Sequence, residues 1–295
     1  MGDMLDQWAK WLLHRRHGGD EDRLKEIIDF LYPVRDKVLE NAALVGDETL
    51  LDVGCGDGLI AFGALEHLDQ GRVIFSDISQ DLLDAAQSLA TDIGIYQRCQ
   101  FIQADAVTLA PIAGASVNAV TLRSVLIYVK EKLKAFHSFY RVLKSDGVLS
   151  LFEPINRYSY PEPAHIMWGY DITPVQEIAG KVKAVYWQSL ADDNPMLDFD
   201  ERDLVTMAEQ AGFNEVHLEL RIEVVPLRQM TGAIHDWNTM LNTAPNPLAP
   251  TLYEALEQAL TPDEVGALTD YLRPKVEAQA GMLRQAIAYL WAVKY

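Results

Sequence analysis

The sequence predicts an α/β protein whose sheet is largely parallel and covered by helices on both faces. Three observations carry that expectation. Short apolar runs alternate with helical patterns between residues 49 and 153. A glycine turn, "GCGDG" (54–58), joins the first apolar run to the first helical one. Aspartates, Asp77 and Asp105, follow the next two apolar runs. Strands alternating with helices imply parallel strands joined by crossover helices.

In chain order, "TLLDV" (49–53) reads as a buried strand, with a helix from about Leu59. "RVIFS" (72–76) is the second strand. Its helix opens at Ser79, an N-cap type, places Leu82, Leu83, Ala86, Leu89 and Ala90 on one face, and stops at Gly94. "CQFIQ" (99–103) and "VNAVTL" (117–122) are further strands. A helix over roughly 130–144 has Leu133, Phe136, Tyr140 and Leu143 at helical spacing, and "GVLSLFE" (147–153) is the fifth strand.

Beyond Pro154 this rhythm breaks. "DFDERDLVTMAEQAGF" (198–213) restores a helix closed by Gly212, "NEVHLELRIEVV" (214–225) alternates as a strand, and "QAIAYLWAV" (285–293) is a last strand. The expected organisation is one domain. Its core comprises 45–154, 199–225 and 284–295, with an N-terminal lid at 1–44 and cap insertions at 155–198 and 226–283.

A net charge of −18 repels phosphate backbones and anionic membrane surfaces, so neither nucleic acid nor a membrane is an expected partner. Two cysteines outside any C-x-x-C pair support neither a disulfide framework nor a zinc knuckle. No window approaches the ~18 apolar residues of a membrane span, and "HRRH" interrupts any leader-like stretch. The expectation is a cytoplasmic protein. Its oligomeric state is not legible. His14 and His17 share a helix face without a third ligand, so no metal is expected.

A strand, glycine turn and helix make a ready nucleotide-type site. Two phosphate-binding readings fail at specific residues. The dinucleotide fingerprint needs glycine where Leu59 stands, and a P-loop needs a Gly-Lys-Ser/Thr that is absent. A glycine turn can also serve chain geometry alone. Asp77 lies about 20 residues after the turn, where a carboxylate accepts from two ribose hydroxyls. Asp105 could accept from an exocyclic amine.

Together "LLDVGCGDGLIAFGAL", "VIFSDIS", "FIQADAVTL", "LRSVLIYV" and "RVLKSDGVLSLFEP" resemble the successive motifs of class I S-adenosylmethionine (SAM)-dependent methyltransferases. The resemblance covers about 45–154. It implies a Rossmann-like seven-stranded sheet with an antiparallel last strand, SAM as cofactor and S-adenosylhomocysteine as product. It further implies that Asp52 helps hold the methionine amine, and that Gly54, Gly56 and Gly58 admit the homocysteine and ribose portions. Asp77 would hold the ribose hydroxyls, Ile78 would pack on adenine, Asp105 and the Ala106 amide would face the adenine edge, and Arg123 would place its backbone near the methionine end. The cysteine set of thiol-based arsenic methyltransferases is absent. Cys55 reads as a small turn residue.

Methyl transfer needs an acceptor held close to the methyl carbon, and a base only when the acceptor must lose a proton. The aromatic-rich caps are the expected acceptor site. Trp168, Tyr170 and Trp237 can equally pack the caps. His165 and His235 are the best base candidates, with Tyr170 beside them, although a structural histidine is the commoner case. The expected activity is methylation of oxygen or nitrogen on a small molecule. Carbon or peptide methylation, and SAM binding without catalysis, are the alternatives.

Overall fold

The computed structural model describes residues 5–188 and 194–295. The 189–193 part of the first expected cap, and residues 1–4 of the expected lid, lie outside the described residues. The chain divides into two compact units. The sheet unit comprises Tyr32–Tyr158, Pro195–Arg221 and Ala286–Tyr295, and the helical unit Met1–Leu31, Ser159–Asn194 and Ile222–Gln285.

The strands are β1 (Thr49–Val53), β2 (Arg72–Asp77), β3 (Cys99–Gln103), β4 (Val117–Arg123), β5 (Leu143–Pro154), β6 (Glu215–Pro226) and β7 (Met282–Lys294). Their order is β3-β2-β1-β4-β5-β7-β6. β1 to β5 pair in parallel. β7 runs antiparallel to β5, from Gly147↔Lys294 to Pro154↔Ile287. The order reverses at β1, so the carboxyl ends of β1 and β4 flank a crevice of the kind where ligands bind in open α/β sheets.

The central strands are near-continuous apolar runs because both faces are covered. One face packs Leu51, Val120, Leu122, Leu149 and Leu151 with Phe136 and Phe139, and the other packs Leu50, Val73 and Phe75 with Val38 and Ile60. Besides the Tyr32–Ala42 part of the helix Glu21–Ala42, the helices of the sheet unit are α1 (Leu59–His67), α2 (Gln80–Asp92), α3 (Lys132–Val142) and α4 (Glu201–Ala211). Ser79 caps α2 by accepting the Leu82 N–H. Leu89, expected on the buried face of α2, is exposed. The buried face of α3 is Ala135, Phe136, Phe139 and Val142; Tyr140 lies at its margin, and Leu143 already belongs to β5. Asp200 and Asp203 form a capping box at the start of α4, and Gly212 ends it at φ 111°.

In the helical unit, helices Gln176–Gln188, Trp237–Asn242, Leu252–Ala259 and Pro262–Glu277 surround a core that includes Tyr170, Trp237, Leu252 and Leu272. A small ribbon pairs Ile166↔Asp171 and Met167↔Tyr170. Its turn is held by Glu162, which accepts the Trp168 and Gly169 N–H groups at 2.9 Å each. The N-terminal segment is fixed within this unit: Trp11 donates its indole N–H to Ala244 O (2.9 Å), and Arg15 pairs with Glu254. Among the described residues no helix is long and apolar enough to cross a membrane.

Candidate active site

The glycine turn follows β1. Gly54, Gly56 and Gly58 have φ of 63°, 56° and 84°, in the left-handed region where an L side chain costs about 1–2 kcal/mol. Two of them also lack room for a side chain. A Cβ on Gly54 would collide with Val125 Cγ2, and one on Gly58 would lie 2.5 Å from Phe62 Cε2. The Gly56 N–H donates to Asp77 Oδ2 (2.9 Å), and the Ser79 N–H to Asp77 Oδ1 (2.9 Å). Asp77 is therefore buried between the first turn and the start of α2. These two bonds fix the orientation of the carboxylate.

Asp52 lies below the turn, buried, and accepts the Thr121 hydroxyl from the neighbouring strand at 2.9 Å. Burial pushes its carboxyl up to about 7, although Thr121 and the positive charge of Arg123 act the other way. Arg123 ends β4, half-buried. Burial, with Asp52, Asp77 and Asp57 nearby, drives the Cys55 thiol well above its ordinary range.

Ile78 follows Asp77 and is 53% exposed. Its carbonyl accepts from the Gln103 side chain (2.9 Å), which ties the ends of β2 and β3 together. Asp105 is exposed and caps a tight turn. Its Oδ1 accepts the Val107 N–H (2.7 Å), and its carbonyl accepts the Leu109 N–H (2.8 Å). Ala106 is buried in that turn.

Sequence reasoning missed Glu153. It ends the apolar part of β5 with 0% exposure. Its Oε1 accepts the N–H groups of Val125 and Leu126 at 2.8 Å each, and its Oε2 accepts that of Ile127 at 3.4 Å. Burial pushes its carboxyl up to about 7, while the three amides and Lys132 pull it down. Ser124, at φ 56°, turns the chain into this segment. Lys132 is also buried. It donates to Val129 O and Pro195 O (2.9 Å each) and pairs with Asp198. The available signal was a glutamate inside "VLSLFE", because a fully buried carboxylate needs partners.

His165, Tyr170 and His235 fall in the helical unit. His165 and His235 are exposed. Tyr170 is 3% exposed in that unit's core with Trp237, and burial pushes its phenol up to about 12. Trp168 packs edge-on to Tyr186 (5.5 Å, 78°). These three aromatics therefore pack the unit. The His17 ring nitrogen Nε2 lies 3.0 Å from Leu13 O, and among the described residues no three His, Cys, Asp or Glu side chains cluster as metal ligands.

The donor set fits SAM. Carboxylates at the turn suit a diol and an amine, the exposed Ile78 suits a flat ring, and the turn itself, "GCGDG", carries no cation for a phosphate.

Comparison with known proteins agrees. Residues 51–151 match the family model described as a methyltransferase domain. The chain is 30% identical over 176 residues to the ubiquinone/menaquinone biosynthesis C-methyltransferase UbiE of Photorhabdus laumondii, covering 57% of this chain and 67% of that one. It is 33% identical over 177 residues to the Klebsiella pneumoniae protein of the same description, with the same coverage. Among solved structures, geranyl diphosphate methyltransferase in complex with SAM shares the fold at a TM-score of 0.54 and 16% identity, covering 99% of this chain and 96% of that one.

Proposed function

The chain belongs to the class I SAM-dependent methyltransferases, and from that premise we propose that it methylates a ring carbon of a small quinol-type phenol. The Gly56–Asp77 hydrogen bond, which joins the two motifs that would hold the cofactor, carries the methyl-transfer reading. The C-methyltransferase relatives support carbon as the acceptor.

Bound SAM supplies a methyl group already activated on a sulfonium. In this reading the chain's own residues do the rest. Asp77 holds the ribose hydroxyls, with its orientation set by the Gly56 and Ser79 amides. Ile78 would pack on the adenine, and the Asp105–Ala106 turn would face its edge. Asp52 sets the electrostatics beneath the methionine end. The segment after β4, held by Glu153, shapes the path to the methyl carbon.

A ring carbon becomes nucleophilic when its neighbouring phenol gives up a proton, and it sheds its own proton after methylation. Both steps need a base. His165 and His235 are the exposed imidazoles proposed for that role. Tyr170 is assigned to packing, because a buried phenol held at about 12 stays protonated at neutral pH.

The test uses methyl-13C-labelled SAM with a panel of reduced quinones, phenols, amines and carboxylates. NMR of the product distinguishes an aryl methyl from a methoxy or N-methyl carbon. An aryl methyl supports the proposal. A methoxy or N-methyl product keeps the enzyme class and replaces the acceptor with the oxygen or nitrogen expected from sequence.

A further inference from the structure

β6 is the last strand of the sheet, bonded to β7 on one side. It runs twelve residues from Glu215 to Pro226, "EVHLELRIEVVP", without glycine and with proline only at its end. A long exposed strand edge presents unpaired backbone donors and acceptors and is a template for another strand. The two faces of β6 differ. Val216 and Leu218 pack against the sheet unit's core, but the stripe continues as Leu220 (37% exposed), Ile222 (51%) and Val224 (46%). The other face carries Glu215, His217, Glu219, Arg221 and Glu223 and ends on Val225.

Those charges are held over the strand by neighbours. His217 stacks on Trp291 (4.9 Å, 10°) and bonds Glu215 at 2.9 Å. Lys37 lies 3.4 Å from Glu219, and Gln285 donates to Glu223 at 2.7 Å.

We propose that β6 pairs antiparallel with β6 of a second copy of this chain, about a two-fold axis at Leu220, and joins two sheets into one. The side-chain pattern selects both the occupant and the register. With the axis at Leu220, Glu219 faces Arg221 and His217 faces Glu223, each pair occurring twice by symmetry. On the other face Leu218 meets Ile222, Val216 meets Val224, and Leu220 meets its own copy. Directly opposed residues share a face, so apart from Glu215, which meets Val225, the apolar and charged stripes stay separate. Moving the axis to Arg221 sets Arg221 against itself and Glu219 against Glu223. Moving it to Glu219 sets Glu219 against itself and Glu215 against Glu223. Moving it two residues either way leaves part of the apolar stripe without an opposite. The strand is thus charge-complementary to itself in one full-length register, as an isologous interface requires.

The test is sedimentation equilibrium of the full chain and four variants at physiological ionic strength. The wild type forms a dimer. Arg221→Glu and Glu219→Arg each place like charges opposite one another twice, and each raises the dimer dissociation constant by about tenfold or more. The double variant restores opposite charges and returns the constant towards wild type. Leu220→Asp sets two carboxylates at the axis and gives monomer. Circular dichroism and thermal midpoints close to wild type show that each variant is folded. A wild type that stays monomeric at all concentrations overturns the proposal. So does a dimer indifferent to both single reversals, or a double variant no better than either single one.

Discussion

Val125 occupies the space that a side chain on Gly54 would need, so the turn after β1 and the segment after β4 are packed directly on one another. Glu153 holds Val125 in place through its backbone N–H. Three motifs far apart in sequence therefore form one mechanical unit at the carboxyl end of the sheet.

Gly54→Ala should strain this unit twice, through its φ of 63° and through Val125. We expect a stability loss of roughly 1–3 kcal/mol and weaker SAM binding. Adding Val125→Ala should recover part of both, because it removes the collision while leaving the strained φ. Urea unfolding and calorimetry of the double-mutant cycle check this. Strictly additive losses would show that the contact is unimportant.

Removing the Glu153 side chain leaves the Val125 and Leu126 amides without their acceptor. Each stranded donor costs about 1–3 kcal/mol. Glu153→Ala should therefore be severely destabilised, and Glu153→Gln, which keeps one carbonyl oxygen, much less so. Equal urea midpoints for the two variants would contradict the clamp.

The same residue gives a pH dependence. Its folded carboxyl stands at about 7 against an ordinary 4.5. Between those values the folded chain keeps a proton that the unfolded chain has released. The stabilising contribution is thus full below about pH 4.5 and is lost as pH rises towards 7. Glu153→Gln does not titrate. Wild type should lose stability relative to this variant across that window, by at most roughly 1.4 kcal/mol per pH unit. A constant difference between the two would place the carboxyl back in its ordinary range.

His165→Ala and His235→Ala should leave SAM affinity unchanged. Loss of the true base should lower turnover by roughly 100- to 10,000-fold. Tyr170→Phe should leave turnover near wild type, whereas Tyr170→Ala should cost about 3–5 kcal/mol of stability as a core truncation. Steady-state kinetics with unfolding curves separate these outcomes. Wild-type turnover in both histidine variants would remove them from the chemistry.

The sheet was legible because its signals are local. β1 and β3 fall where apolar runs stop at turn residues, and Ser79 and Gly212 mark helix ends with their own backbone geometry. The positive φ of the glycine turn and the place of Asp77 at the end of β2 follow from equally local signals. Leu89 misled because helical spacing does not say which edge of an apolar face the sheet reaches. Glu153 and Lys132 were missed because their partners, Val125–Ile127 and Pro195–Asp198, lie far off in the chain. Tyr170 reads from sequence equally as a pocket residue or as packing, and its burial favours packing.

In this reading the β1 turn and Asp77 hold SAM. Isothermal calorimetry of SAM and S-adenosylhomocysteine with wild type and Asp77→Ala is the deciding measurement. Charge-assisted hydrogen bonds are worth about 1.5–3 kcal/mol each, so the variant should bind at least about tenfold more weakly. Having lost the acceptor of the Gly56 and Ser79 amides, it should also unfold at a lower urea concentration, with circular dichroism showing that it is still folded where binding is measured. A folded Asp77→Ala protein with wild-type affinity for both ligands, or a wild type that binds neither, would mean that the turn and Asp77 do not hold the cofactor.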